Sequence, residues 1–147
     1  MCAAQWIEIY ATHVYPKSHL SPLPYKWKYV VELQALKLPG ASFRQMYFIP
    51  TFDRYANNVT CGAQLYVTDP KLFKALEIGL EVIALARRLH PASFAFYDED
   101  FDLHMGTNST RLDLEAGTPV LQIISSWQSD LATFTETRRP YLLYHEK

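Results

Sequence analysis

The sequence predicts an α+β domain, in which a small mixed β-sheet is packed by about four helices. Three observations lead to this class. A chain of 147 residues is about one domain. Residues 70–89 carry apolar side chains at helical spacing, with charged residues on much of the other side. Two shorter apolar stretches, residues 41–49 and 64–67, have the length and composition of strands.

The first third of the chain is predicted to contain a strand, a loop, a helix and a second strand. Residues 6–15 alternate loosely between apolar and polar side chains, and prolines mark residues 17–24 as a loop. A short helix begins at Lys26 and ends at Leu38-Pro39-Gly40, because proline cannot continue its hydrogen bonds. The strand at residues 41–49 has large apolar groups on both faces, so we expect it to be covered on both sides.

The longest helix follows the second strand. A polar loop around Asn57-Asn58 precedes that strand at residues 64–67. Asp69-Pro70 combines an acidic N-cap with proline at the first helical position, which predicts a helix over residues 70–89. Gly79 inside this helix disfavours helix formation, and we therefore expect it to mark close packing against a strand.

The remaining residues are predicted to be mainly helical. We expect a short strand at residues 94–97, an acidic turn at residues 98–100, and a helix from Thr107 or Asn108 to Ala116. Gly117 closes that helix, and a last one covers residues 119–137 with Thr118 as its cap. The apolar run at residues 141–144 must dock against another element, and its interpretation is an edge strand.

Composition and motifs exclude several classes of function. The net charge is -1 without clustered basic residues, which argues against nucleic-acid or membrane-surface binding. No apolar run approaches the length of a membrane span, and no signal peptide is recognisable, so the default expectation is a cytoplasmic chain. Cys2 and Cys61 form no CxxC motif, and the histidines lack metal-ligand spacing. We therefore expect no cofactor and no metal.

Two groups of residues are candidates for chemistry. Pro50, Thr51, Phe52 and Tyr55 place rings and hydroxyls on one loop, which either packs under another element or faces a ligand. The acids at positions 98, 99, 100 and 102 offer carboxylates for a metal or for glycoside hydrolysis, but a solvated turn is the favoured interpretation. The residues alone assemble no nucleophile, base and orienting group.

A series of motifs resembles the C-terminal domain of the exo-β-N-acetylmuramidase NamZ family. The resemblance runs from about residue 37 to residue 144. The residues that carry it are Leu38-Pro39-Gly40, Phe43-Arg44, Phe48, Pro50-Thr51-Phe52, Tyr55, Gly62, Gln64, Val67-Thr68-Asp69, Phe101-Asp102, Gly106-Thr107, Arg111, Trp127, Phe134 and Tyr141-Leu142-Leu143-Tyr144. On this basis, residues 1–30 are a divergent segment and residues 31–147 the NamZ-like domain.

The resemblance implies an exo-acting glycoside hydrolase that releases N-acetylmuramic acid from the non-reducing ends of peptidoglycan fragments, in cell-wall turnover. In that family a Rossmann-like N-terminal domain carries the catalytic chemistry, and the family is usually exported. We therefore expect this chain to be inactive without such a domain, which a separate gene could encode. Two alternatives stay open. The chain is a non-catalytic carbohydrate-binding or interaction module, or it is the remnant of a truncated gene.

The resemblance also gives the polar and aromatic residues a ligand. Phe52 or Tyr55 would stack on a sugar ring, and Thr51 and Gln64 would bond its hydroxyl or acetamido groups. Arg44 or Arg111 would meet the lactyl carboxylate. The catalytic residues stay unknown. The alternative for this segment is a packing corner, with Gln64 serving only the strand.

Overall fold

The computed structural model describes residues 24–49, 51–52, 56–57, 60–92 and 94–144. The chain forms two compact units, one ending at Tyr97 and the other beginning at Asp98. The predicted strand at residues 6–15 and the loop at residues 17–23 lie outside the described residues. Within the described part, no helix has the length and apolar character needed to cross a bilayer.

The first unit contains a helix, a β-hairpin and a second helix. Helix α1 covers Pro24–Ala35, strand β1 covers Ala41–Phe48, strand β2 covers Thr60–Val67, and helix α2 covers Ala75–Leu89. The two strands pair antiparallel, and over the described residues they make up the whole sheet. The predicted α+β class is confirmed, although the sheet described is antiparallel rather than mixed.

A tight turn connects α1 to β1. Pro39 and Gly40 occupy its centre, and the Ala41 amide donates to the Leu38 carbonyl over 3.2 Å. Gly40 has a φ of +72°, which glycine adopts at little cost. The Gly40 carbonyl then accepts the Thr68 amide at 2.9 Å, so the turn is tied to the residues just after β2.

The core of the first unit lies between the two helices and one face of the hairpin. It consists of Tyr29, Val30, Leu33, Phe43, Ala63, Leu65, Ile78, Val82, Leu85 and Ala86. Two polar groups are satisfied at its margin: the Tyr29 hydroxyl donates to the Val82 carbonyl at 2.9 Å, and the Gln34 amide donates to the Phe43 carbonyl at 2.8 Å. These bonds fix α1 against both α2 and β1.

The prediction that α2 starts at Asp69-Pro70 is wrong by five residues. Asp69 does cap a local structure, since its Oδ1 accepts the Lys71 amide at 2.9 Å and its carbonyl accepts the Phe73 amide at 3.0 Å. That structure is a separate turn. The backbone of this turn passes so close to Gly40 that a Cβ built on Gly40 would lie 2.5 Å from the Asp69 carbonyl oxygen. The contact holds residues 69–73 in place, and the helix begins only at Ala75.

All regular secondary structure in the described part of the second unit is helical. Helix α3 covers Asp98–Met105, α4 covers Ser109–Ala116, α5 covers Val120–Ser126, α6 covers Gln128–Arg138, and a 3-10 turn covers Arg139–Tyr141. Its buried side chains are Phe101, Thr110, Leu114, Val120 and Ile123. Gly117, with a φ of +80°, closes α4 as predicted.

Several sequence expectations differ from the described structure. Residues 94–97 form no strand; instead the Phe94 and Phe96 rings pack edge to face with centroids 5.0 Å apart. The expected acidic turn is the first turn of α3, where carboxylates suit the positive end of the helix dipole. The expected last helix is divided at Trp127, and residues 141–144 form no strand.

Candidate functional site

The two faces of the hairpin have different environments. In the antiparallel register Phe43 pairs with Leu65 and Arg44 pairs with Gln64. Successive residues of a strand point to opposite faces. Phe43 and Leu65 therefore lie in the core, whereas Arg44 is exposed on the other face. The expectation that β1 is covered on both sides is wrong for the described residues, because one face is left to solvent at Arg44 and Tyr66.

Three side chains on this face form a connected group, which we call the Arg44–Gln64–Tyr66 face. Gln64 Oε1 accepts two hydrogen bonds, from Arg44 Nε at 3.0 Å and from the Tyr66 hydroxyl at 2.8 Å. The Arg44 guanidinium carbon also lies 5.2 Å from the centre of the Tyr66 ring, within the range of a cation–π contact. Each side chain thus restricts the other two.

This arrangement leaves hydrogen-bond donors available. Within the described part of the chain, the two terminal nitrogens of Arg44 have no partner, and neither does the side-chain nitrogen of Gln64. Arginine donates from five N–H groups in a planar fork, and the glutamine amide donates from two. The face is therefore suited to a ligand that presents acceptor oxygens beside an apolar surface for the Tyr66 ring.

Two of the residues predicted from the sequence, Arg44 and Gln64, are neighbours in this face. Tyr66 was not among the predicted site residues. The spacing in the sequence could have indicated Tyr66, because it follows Gln64 by two positions and residues i and i+2 of a strand share a face. Without the register, that signal did not show that Tyr66 also meets Arg44 across the hairpin.

The loop residues lie at the other end of the hairpin. Thr51 and Phe52 are exposed, and Phe52 retains 82% of its accessible surface. Tyr55 and Pro50 lie outside the described residues. Arg44 pairs with Gln64 four positions before the Phe48–Thr60 pair that closes the hairpin. Four residues of strand span roughly 13 Å, so the loop end and the Arg44–Gln64 pair are well separated along the hairpin.

Arg111, the other predicted carboxylate-binding residue, belongs to the second unit. Its guanidinium forms two parallel bonds to Asp102, from Nε to Oδ1 at 2.9 Å and from Nη2 to Oδ2 at 2.8 Å. Nη1 further contacts Asp98 at 3.5 Å and Glu115 at 3.4 Å. The hydrogen bonds with Asp102, aided by the other carboxylates, raise the pKa of Arg111 above its ordinary value. The side chain thus links α3 to α4.

The same contacts account for two of the four acidic side chains considered for catalysis or metal binding, Asp98 and Asp102. Asp102 is turned into the unit and held by Arg111, while Asp98 and Glu115 pair with the same guanidinium. Among the described residues, no group of three histidine, cysteine or acidic side chains is arranged to hold a metal ion.

Comparison with known families assigns the chain. The family model described as "Exo-beta-N-acetylmuramidase NamZ, C-terminal" matches residues 21–144. The chain belongs to this family. Both the Arg44–Gln64–Tyr66 face and the Arg111 contacts thus lie inside a NamZ C-terminal domain.

A curated relative and a solved structure extend the comparison. The chain is 41% identical over 113 residues to the peptidoglycan beta-N-acetylmuramidase NamZ of Bacillus subtilis (strain 168). The match covers 76% of this chain and 27% of that relative, so the chain spans about a quarter of the relative's length. A DUF1343 family protein from Bacteroides fragilis NCTC 9343 shares the fold, with a TM-score of 0.72, 23% identity, and coverage of 85% of this chain and 34% of the other.

Proposed function

We propose that this NamZ C-terminal domain serves an exo-acting β-N-acetylmuramidase, which releases N-acetylmuramic acid from the non-reducing ends of peptidoglycan fragments. The observation that carries this proposal is the 41% identity to the Bacillus subtilis muramidase together with the family match over residues 21–144. At this identity the same fold and a related role are the expected outcome. The domain's part is to line the substrate cleft, and its products would enter cell-wall turnover.

Hydrolysis itself requires a further, N-terminal domain in this proposal. Glycoside hydrolysis uses two carboxyl groups flanking the scissile bond. Of the carboxylates described, Asp98, Asp102 and Glu115 are committed to Arg111. The matched part of the relative is 27% of its length, which leaves ample room for a catalytic domain elsewhere in it. The 147 residues are therefore expected to bind saccharide without cleaving it.

Saccharide binding is assigned to the hairpin. The Arg44–Gln64–Tyr66 face offers donors beside an aromatic ring, which is the combination that sugar hydroxyls and the apolar face of a pyranose need. Thr51 and Phe52 extend the proposed surface at the loop end, where the exposed Phe52 ring is available for stacking, and Tyr55 is proposed as a further sugar-stacking residue from the sequence alone. A non-catalytic carbohydrate-binding module is the second candidate function, and this same surface favours it.

A chimera tests the proposal. Residues 21–144 would replace the matching segment of the Bacillus subtilis relative, and turnover of a chromogenic N-acetylmuramic acid glycoside would be compared for the chimera, the isolated chain and an equimolar mixture of the chain with the remaining portion. We expect turnover by the chimera and none by the isolated chain.

Each result has a definite meaning. Turnover by the isolated chain would overturn the requirement for an N-terminal domain. A folded chimera that retains no activity, beside a chain that still binds the saccharide, would favour the carbohydrate-binding module. A chain that neither binds nor restores turnover would contradict both functions.

A further inference from the structure

We propose that Arg44 is a specificity-determining residue, which selects saccharides bearing a carboxylate over their neutral counterparts. This inference rests on the proposed function, since it takes the ligand of the Arg44–Gln64–Tyr66 face to be a peptidoglycan saccharide. N-acetylmuramic acid differs from N-acetylglucosamine by a lactyl ether that ends in a carboxylate. The two sugars therefore form a matched pair that isolates the interaction.

The orientation of the Arg44 guanidinium supports this role. Its Nε is already bonded to Gln64 Oε1 at 3.0 Å, and its guanidinium carbon lies 5.2 Å from the centre of the Tyr66 ring. The free edge is thus the one between the two terminal nitrogens, which can donate two parallel bonds to a carboxylate. Because two contacts already restrict the side chain, less conformational entropy is lost when the carboxylate binds.

Gln64 supplies the second part of the recognition. Both of its bonds on this face use Oε1 as acceptor, so its Nε2 group keeps two N–H donors. An acetamido carbonyl next to the carboxylate would accept one of them. Since Arg44 and Gln64 are a directly opposed pair in the sheet, their donors are close enough for substituents on one sugar ring.

Other arginines of the described part are less suited to this role. Arg111 is engaged by Asp98, Asp102 and Glu115, and its side chain retains only 13% of its accessible surface. Arg88 and Arg139 pair with Glu32 and Glu136 respectively. Arg44 pairs with no carboxylate among the described residues, and its charge is therefore available to a ligand.

The test compares binding of two sugars to the full chain by ¹⁵N chemical-shift titration, which detects millimolar affinities. N-acetylmuramic acid and N-acetylglucosamine would each be titrated into the unmodified chain and into Arg44→Gln, Arg44→Lys and the control Arg88→Gln. Arg88 is exposed and lies in the same unit, so its replacement removes one charge without touching the face. Thermal unfolding of each variant verifies its fold.

We expect the unmodified chain to bind N-acetylmuramic acid about fivefold more tightly, a modest ratio because Arg44 is exposed. Arg44→Gln should remove this preference, Arg44→Lys should retain part of it, and Arg88→Gln should leave it unchanged. Equal affinity of the unmodified chain for both sugars, or a preference that survives Arg44→Gln, would overturn the inference and leave the proposed function standing. Failure of both sugars to bind would overturn the inference together with saccharide binding by this domain.

Discussion

At the scale of single residues, three glycines have different surroundings that the sequence does not distinguish. Gly40 has positive φ, and a Cβ there would meet the Asp69 oxygen at 2.5 Å and the Phe73 nitrogen at 2.6 Å. Gly117 also has positive φ, but a Cβ built at this position would have no described neighbour within 4 Å. Gly79 has neither feature, so the expected close packing at this position is absent from the described structure.

Replacing each glycine by alanine should therefore give three different results. Gly40→Ala should cost more than about 2 kcal/mol, because backbone atoms must move and the left-handed conformation is strained. Gly117→Ala should cost about 1 kcal/mol through conformation alone. Gly79→Ala should stabilise the chain by about 0.5–1 kcal/mol, because alanine loses less entropy in a helix. Urea denaturation measures the free energy of unfolding of all three variants. A loss of stability in Gly79→Ala would support close packing at Gly79 after all.

Glu81 is a residue whose ionisation opposes folding. Burial first, and then the neighbouring charge of Glu77, raise the pKa of Glu81 above 4.5, and attraction to Arg88 offsets this only in part. A carboxyl whose pKa is higher in the folded state stabilises the fold below its unfolded pKa, and this stability is lost as pH rises through the folded value. The ionised form of Glu81 is therefore the unfavourable one.

The neutral variant Glu81→Gln should consequently be more stable than the unmodified chain at pH 7, by no more than about 1 kcal/mol because the side chain is partly exposed. At about pH 3, where the carboxyl is protonated in both states, the difference should disappear. Free energies of unfolding at the two pH values measure this. An equal gain at both would attribute the effect to packing rather than to charge.

At the scale of elements, the second unit depends on the contact between α3 and α4. Arg111 on α4 binds Asp102 on α3 through two parallel bonds and reaches Asp98 and Glu115 as well. A planar fork held by a half-buried carboxylate is a more stable arrangement than an exposed ion pair. The exposed pair Arg139–Glu136, with N–O distance 3.4 Å, provides a matched comparison within the same unit.

Asp102→Asn should lower the midpoint of thermal unfolding, and Arg111→Lys should do so too, because lysine cannot form the paired bonds. Glu136→Gln should have no measurable effect. Glu115→Gln should lower the midpoint by an intermediate amount, since the contact of Glu115 with Arg111 is longer and more exposed. Equal midpoints for Asp102→Asn and Glu136→Gln would show that the α3–α4 contact depends on apolar packing alone.

At the scale of the whole molecule, the sequence predicted the α+β class, strand β1 and most helices. One of the misses has a cause in tertiary contacts. Asp69-Pro70 has the local chemistry of a helix start, but the tertiary approach of Gly40 holds the following residues in a separate turn. The apolar spacing around Trp127 is helical, yet the chain divides there into two helices. Local patterns do not encode a long-range contact such as the one between Gly40 and Asp69.

The candidate site was predictable to a similar extent. Composition and resemblance selected Arg44 and Gln64, but strand register decides that these two residues oppose each other and that Tyr66 joins them. Register depends on how the hairpin closes, which the sequence of the loop did not reveal. Likewise, no sequence pattern distinguished Arg44, whose terminal nitrogens are available, from Arg111, whose guanidinium is occupied by acids from two helices.

The division of the hairpin into a core face and an exposed face has a consequence for how this domain can evolve. On the proposed role of Arg44, the neighbouring positions Phe43 and Arg44 are under separate selective constraints, one on folding and the other on ligand choice. If that role holds, substitutions at every second residue would alter which sugar is preferred and leave the core side chains unchanged. A saturation scan of the hairpin should show abundance and specificity changing at alternate positions, with a period of two.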